Sequence, residues 1–224
     1  MSLQKTKTDP ELGHDVHLHL SAMGVETPMT SLVKDPNQNK IEVITDSMVD
    51  ILEALGLDLT DDSLMDTPRR VAKMYVNEIY WGLNYENFPK CTVIENKMGY
   101  DEMVVECNIK MISDCEHHLR PIDGVAHVAY IPKDKVLGLS KMNRIVEFFA
   151  RRPQVQERIA EQVYHALSYI LETDDVAVVI EGTHYCVKQR GVEDDNSYTI
   201  TSKLGGGFKD NPTVRAEFLS LVKK

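Results

Sequence analysis

Two short runs, Cys115-Glu116-His117-His118 and His184-Tyr185-Cys186, constrain this chain more than any other feature. If their thiols and imidazoles serve one ion, whatever fold forms must close two distant segments on each other. Zinc favours such ligands, and Cys-x-x-His is a chelate that a tight turn can wrap round one ion. Cys115, His118 and Cys186 are therefore the candidate ligands, the three that a catalytic zinc takes while one position stays open. Spacing favours His118, although Cys115 and His117 would share a face if the segment stayed extended. On this reading His117 and His184 remain free for proton transfer to a substrate attacked by water. A purely structural zinc, or two cysteines buried as small hydrophobes, would use the same residues.

The 224 residues, 42% of them hydrophobic, suffice for one substantial domain with a core and a smaller appendage. A net charge of -10 argues against nucleic acid or an anionic membrane as principal partner. Any polyanionic substrate must then meet a local basic pocket. Four cysteines without a signal peptide fit a reducing cytoplasm, with Cys91 and Cys107 most simply buried thiols. No apolar run approaches the length of a membrane span, and no internal repeat stands out.

Along the chain, a polar and frayed start through Pro10 leads to a short helix over Glu11–Gly24, with Leu12, Val16, Leu20 and Met23 at helical spacing. His14, His17 and His19 lie on it, as a solvated face or a second metal site. Thr27–Asn39 reads as a linker. A helix follows over Lys40–Leu55, with Ile41, Ile44, Met48, Ile51 and Leu55 on one side. Thr67-Pro68, an N-cap hydroxyl before proline, starts another helix that runs to Trp81 and stops at Gly82. Alternation over Met103–Met111 predicts a half-buried strand delivering Cys115, and Val125–Ile131 is its partner across a turn ending in Asp123-Gly124. Helices over Ser140–Arg151 and Pro153–Leu171 come next, then strands over Val176–Val187 and Ser197–Leu204, and a closing helix over Pro212–Val222. This order predicts an α+β fold, an antiparallel sheet packed on one side by two helices. It divides into a tail, short helix and linker (1–39), a helical region (40–89) and a catalytic domain (90–224).

Ser140, Lys141 and Arg144 suggest a substrate pocket. Ser140 can cap its helix, and the two cations share a face near the helix N-terminus, where backbone donors favour an anion. An ordinary solvated basic face has the same pattern. No Walker loop occurs in the chain, and Gly205-Gly206-Gly207 reads as a flexible turn more readily than a phosphate cradle. In Gln156-Glu157 the carboxylate can accept two parallel hydrogen bonds from guanine and the amide can add another, although a charged surface turn looks alike. Arg190 could bring a further cation to the same pocket.

Taken together, CEHH at Cys115, AYIPKDKVLGLSKMNRIVEFFARRPQVQER from Ala129, HYCVKQRG from His184 and TSKLGGGF from Thr201 resemble the GTP cyclohydrolase I family. The match runs from about Thr27 to Phe218. It implies zinc held by Cys115, His118 and Cys186, with His117 and His184 as acid/base residues. It also implies guanine contacts at Gln156 and Glu157, and ribose and triphosphate contacts at Ser140, Lys141, Arg144 and Arg190. Arg70 looks like the arginine such enzymes lend to a neighbouring subunit. The family's fold is the tunnelling T-fold, four antiparallel strands and two helices per chain, assembled as a decamer of two pentamers. The implied reaction converts GTP to 7,8-dihydroneopterin triphosphate and formate, the start of folate and other pterin biosynthesis.

The chain departs from the family pattern at Leu119-Arg120-Pro121, behind the metal turn, and at the acidic run Glu193-Asp194-Asp195, expected to face solvent. The rival reading is a zinc-stabilised nucleotide-binding or scaffold protein without turnover, against which the intact His117, His184, Gln156 and Glu157 argue. A zinc nucleobase deaminase is excluded because its H-x-E and P-C-x-x-C pair is absent.

Overall fold

The computed structural model of the chain describes residue 3, residues 5–30 and residues 37–223. Its first helix, α1 (Pro10–Ala22), starts where local chemistry favours it: the Asp9 carboxylate accepts from the Leu12 N–H at 3.1 Å, and Pro10 opens the first turn. Val16 and Leu20 are fully buried. Lys7 and Asp9, just ahead of α1, are held rather than frayed, since the Asp9 N–H donates to the Phe88 carbonyl at 2.8 Å and the Lys90 N–H to the Lys7 carbonyl at 2.9 Å. Nor is the histidine face simply solvated. His17 packs on Tyr85 and His19 on Tyr169, with ring centroids 4.6 and 5.1 Å apart, and no metal-type cluster forms there among the described residues.

Residues 31–36 of the expected linker lie outside the described residues. The helix after it, α2 (Asn37–Ala54), packs against α3 (Thr67–Met74). Of the expected α2 stripe Ile41 is buried, whereas Ile51 and Leu55 stay exposed among the described residues. Thr67 does not cap α3: Asp66 holds the cap position in a helical conformation, without a side-chain bond. The α-helix also ends before Trp81, giving way to a π-helical turn at Tyr75–Ile79 and a 3-10 turn at Trp81–Leu83. Docking is the reason. The Gly82 N–H bonds the Arg151 carbonyl at 3.0 Å, and a Cβ there would lie 2.2 Å from the Phe148 carbonyl oxygen.

The remaining elements are β1 (Val93–Glu95), β2 (Val104–Cys115), β3 (Arg120–Tyr130), β4 (Lys135–Leu137), α4 (Ser140–Ala150), β5 (Pro153–Gln154), α5 (Gln156–Leu171), β6 (Val176–His184), α6 (Tyr185–Lys188), β7 (Thr199–Leu204), α7 (Gly206–Asp210) and α8 (Pro212–Val222). The main sheet has the order β5-β2-β3-β6-β7, antiparallel except that β5 pairs parallel with β2. It thus has five strands, not the expected four. The fifth is Pro153–Gln154, expected as a helix start but used as a short edge, a position that tolerates proline. β1 and β4 form a separate two-stranded ribbon that alternation did not reveal.

The β2–β3 turn lies at residues 116–119, where Leu119 adopts φ 50°, and not at Asp123-Gly124. Gly124 sits inside β3 for a different reason: a Cβ there would stand 2.0 Å from the Glu181 carbonyl oxygen, so only glycine lets β6 approach. The Gly205–Gly207 run is likewise neither a loose turn nor a cradle. A Cβ at Gly205 would meet the Tyr164 hydroxyl at 2.0 Å, and the Gly207 N–H donates to Asp175 at 2.6 Å.

As expected, α4 and α5 cover one sheet face, with Phe148, Phe149, Ile159, Val163 and Leu167 against Met111, Val128 and Ile180. Val16, Leu20 and Phe88 join this same core, so the N-terminal helix is part of it. Phe208 and Phe218, from α7 and α8, pack on the opposite face. Cys91 is half-buried, its thiol pushed up to about 12 mainly by burial, but Cys107 is exposed rather than buried. Among the described residues no helix is long and apolar enough to cross a membrane.

Candidate metal centre and nucleotide site

Strand β2 buries Ile109, Met111, Ser113 and Cys115 on alternate positions, so its pleat carries the Cys115 thiol into the protein at the strand's last residue. The chain then reverses, with the Leu119 N–H bonding the Cys115 carbonyl at 2.8 Å, and His117 and His118 are left exposed. From the other side β6 ends at His184, opposite Ile122 of β3, and the single turn α6 folds Cys186 back. Cys186 therefore sits in a helical turn, not in the expected continuation of the strand. The ligand atoms of Cys115, His118 and Cys186 all lie within 4.8 Å of one another.

The geometry groups His118, rather than His117, with the two thiols. His117 remains next to them, its Nδ1 3.5 Å from the Cys115 sulfur. Burial first, then the Cys115 thiol, holds the Cys186 thiol above its ordinary range. Arg190 is exposed and its guanidinium lies 2.9 Å from His118 Nε2; since arginine only donates, that nitrogen is the acceptor in the neutral ring. Two thiols and an imidazole form a donor set that fits zinc.

Around this group the structure gathers His184, Gln156 and Glu157. His184 Nε2 is 2.8 Å from Gln156 Oε1. Burial holds the His184 imidazole below its usual pKa, and the nearby Glu157 carboxylate opposes that shift. Glu157 is exposed at the start of α5, and its carboxylate makes no hydrogen bond among the described residues. Gln156 points inward and is 1% exposed. Its amide nitrogen lies within hydrogen-bonding distance of the Ile180 and Thr199 carbonyls and the Thr201 hydroxyl.

Ser140, Lys141 and Arg144 lie near the start of α4, and among the described residues no hydrogen bond or ion pair joins them to Cys115 or Cys186. Ser140 does not cap the helix; Leu139, already helical, precedes it without a side-chain bond. Lys141 and Arg144 have no acidic partner among the described residues. Arg70 stands apart on α3, in an exposed pair with Asp66 at 3.4 Å. Glu193 and Asp195 are exposed, as is Arg120.

Sequence reasoning missed Arg158, whose guanidinium reaches the Glu116 carboxylate inside the metal turn at 2.5 and 3.4 Å. Opposite charges in two separated motifs were the available signal, but pairing them requires β5, which brings Gln154 beside Cys115.

A mainly antiparallel sheet carrying a thiol–imidazole–thiol group at its strand ends, with further imidazole, amide and carboxylate side chains nearby, defines an α+β protein with a candidate metal site compatible with zinc. The family model for GTP cyclohydrolase I matches residues 44–223. The GTP cyclohydrolase 1 of Shewanella denitrificans is 59% identical over 208 residues, covering 93% of this chain and 95% of that protein. The GTP cyclohydrolase 1 of Vibrio cholerae is 60% identical over 200 residues, covering 89% and 92%. A solved structure, the apo form of the archaeosine synthase QueF-Like, covers 48% of this chain and 95% of its own, with a TM-score of 0.39 at 15% identity, too loose a likeness to bear on fold or function. The chain belongs to the GTP cyclohydrolase I family.

Proposed function

We propose that this chain converts GTP to 7,8-dihydroneopterin triphosphate and formate in the cytoplasm, using zinc held by Cys115, His118 and Cys186. The observation that carries the reading is the convergence of that ligand group with His184 and Glu157 at one end of the sheet. When bound, zinc supplies Lewis-acid activation of water at neutral pH. The chain's own residues do the rest. Glu157, exposed and unpaired, accepts the paired donors of guanine and orients the base. His184 delivers a proton to the imidazole ring of the substrate, making C8 electrophilic. His117 serves later proton transfers as the ring opens, C8 leaves as formate and the carbohydrate rearranges and recloses.

Lys141 and Arg144, two cations near a helix N-terminus without an acidic partner among the described residues, suit the triphosphate, with Ser140 and Arg190 beside it. Among the described residues no hydrogen bond or ion pair joins that turn to Cys115 or Cys186, which supports a site completed between subunits, to which Arg70 of a neighbour contributes. Val43 and Ile51, exposed along α2, and Leu55 just beyond it support burial against other copies in a decamer of two pentamers. The sheet with α4 and α5 on one face supports a T-fold unit over residues 90–224. Incubating purified protein with GTP, and following formate and a fluorescent pterin after oxidation, tests the reading; absence of both products would overturn it.

A further inference from the structure

We propose that the cleft between α1, residues 26–29 and residues 83–86 is a binding site for a small molecule with an apolar body and a single carboxylate. The cavity encloses about 570 Å³, a size that suits small ligands, and its lining shares no residue with the metal and nucleotide site described above. Behind its wall lies a buried charge. Arg152 is fully buried, stacks on Phe148 at 4.6 Å, Phe149 at 5.1 Å and Tyr85 at 5.2 Å, and donates to the Gly82 and Phe148 carbonyls. No carboxylate pairs with it among the described residues. A guanidinium buried without an anion is costly, so an anion held nearby would stabilise it.

Two hydroxyls connect that charge to the cavity. Arg152 Nη1 donates to Thr27 Oγ1 at 3.2 Å and to the Tyr85 hydroxyl at 3.4 Å, and both residues line the cleft. Thr27 Oγ1 accepts a second bond, from the Gln162 amide at 3.1 Å. Each hydroxyl thus accepts from the protein and keeps its own hydrogen, for which no acceptor stands among the described residues. Donors polarised by a guanidinium suit an ionised oxygen. His17, also in the lining, senses the same charge: burial first, then His14 and Arg152, hold its imidazole below the ordinary range, with Glu26 opposing. Its Nδ1 has no partner. Pro10, Pro28, Met29 and Leu83 give the cleft apolar surface, and Glu26 and Glu86 disfavour a second negative charge on the ligand. A monocarboxylate therefore fits better than a phosphate ester.

Benzoate is the probe, with benzamide as its neutral counterpart and inorganic phosphate as competitor. Full-length, metal-loaded protein with isotope-labelled methionine methyls reports binding at Met29, whose signal is identified by its loss in Met29→Leu. Benzoate is expected to shift that signal saturably, benzamide to bind roughly tenfold more weakly or worse, and phosphate to leave benzoate in place. Tyr85→Phe, which keeps the ring and removes one donor, should weaken benzoate roughly tenfold, as should Thr27→Val. An unmoved Met29 signal, equal affinity for benzamide, or displacement of benzoate by phosphate would each overturn the proposal. So would unchanged benzoate affinity in both Tyr85→Phe and Thr27→Val. Should those variants fail to fold, the comparison of benzoate with benzamide on the unaltered protein still decides.

Discussion

The Arg158 guanidinium grips both oxygens of the Glu116 carboxylate, tying the first turn of α5 to the turn that carries Cys115, His117 and His118. The tie continues inward. The Glu116 N–H donates to the Gln154 carbonyl at 2.9 Å, the Gln154 amide to Gln162 at 2.7 Å, and the Gln162 amide to the Val25 carbonyl at 2.8 Å. A buried polar path thus runs from the segment after α1 to the metal turn, and burial makes each of its bonds costly to leave unmade.

Removing the outer clamp should loosen the metal turn. Arg158→Ala is expected to lower zinc affinity by roughly tenfold, the lower end of the effect of deleting outer-shell partners. Arg158→Lys should fall between, since an ammonium cannot make the two-pronged contact. Competition with a chelator measures both. Unchanged affinity in Arg158→Ala would show that the strand ladder alone holds the turn.

If Glu157 accepts guanine's paired donors as proposed, Glu157→Ala leaves them without an acceptor. GTP binding should weaken by about 1.5–3 kcal/mol, the range for a hydrogen bond to a charged group. Isothermal titration with metal-loaded protein reads this, and an unaltered dissociation constant would place the base elsewhere.

Chemistry and metal binding should separate at one end of β6. His184→Ala removes the proposed proton donor but no proposed ligand, so zinc content and GTP affinity should hold while formate release drops roughly 10²–10⁴-fold. Cys186→Ala, two residues on, should lose both metal and turnover. Loss of zinc in His184→Ala would contradict this division of roles.

Gly124→Ala tests the crowding between β3 and β6. Its Cβ would stand 2.0 Å from the Glu181 carbonyl oxygen, and a backbone atom cannot swing aside as a side chain does. A destabilisation of about 3 kcal/mol is expected, at the upper end for overpacking. Denaturant unfolding measures it; a midpoint at the wild-type position would mean that the strands part at little cost.

His127 should contribute to acid sensitivity. It is buried in β3 with Nδ1 unpartnered, and burial holds its imidazole below the ordinary 6.5, with Glu181 opposing. Below pH 6.5 the unfolded chain gains a proton that the folded chain resists, so stability falls as pH drops through that value and is unaffected by this group well above it. His127→Leu should flatten the decline in unfolding free energy between neutral and mildly acid pH, and an equally steep decline would reject the assignment.

Much of this architecture could be read from residue order because its causes are local. The alternation before Cys115 defines a strand by which side chains face the core, and the apolar spacing of α5 defines a helix in the same way. The ligand types at Cys115, His118 and Cys186 specify a metal chemistry wherever they meet. Asp123-Gly124 misled for a reason of the same kind. A glycine after an aspartate has turn chemistry, yet here the glycine answers to β6, a strand some distance along the chain. The glycines at 205–207 likewise serve packing against Tyr164 and Asp175.

The direction of the Gln156 amide, the partner of Glu116 and the strand formed by Pro153–Gln154 could not be read in advance. Each depends on which polar groups from other segments arrive within hydrogen-bonding distance, and a buried amide or carboxylate must take whatever partners the assembled sheet and helices present. Residue types and short-range spacing carried the chemistry of the site, while non-local packing assigned each polar atom its partner.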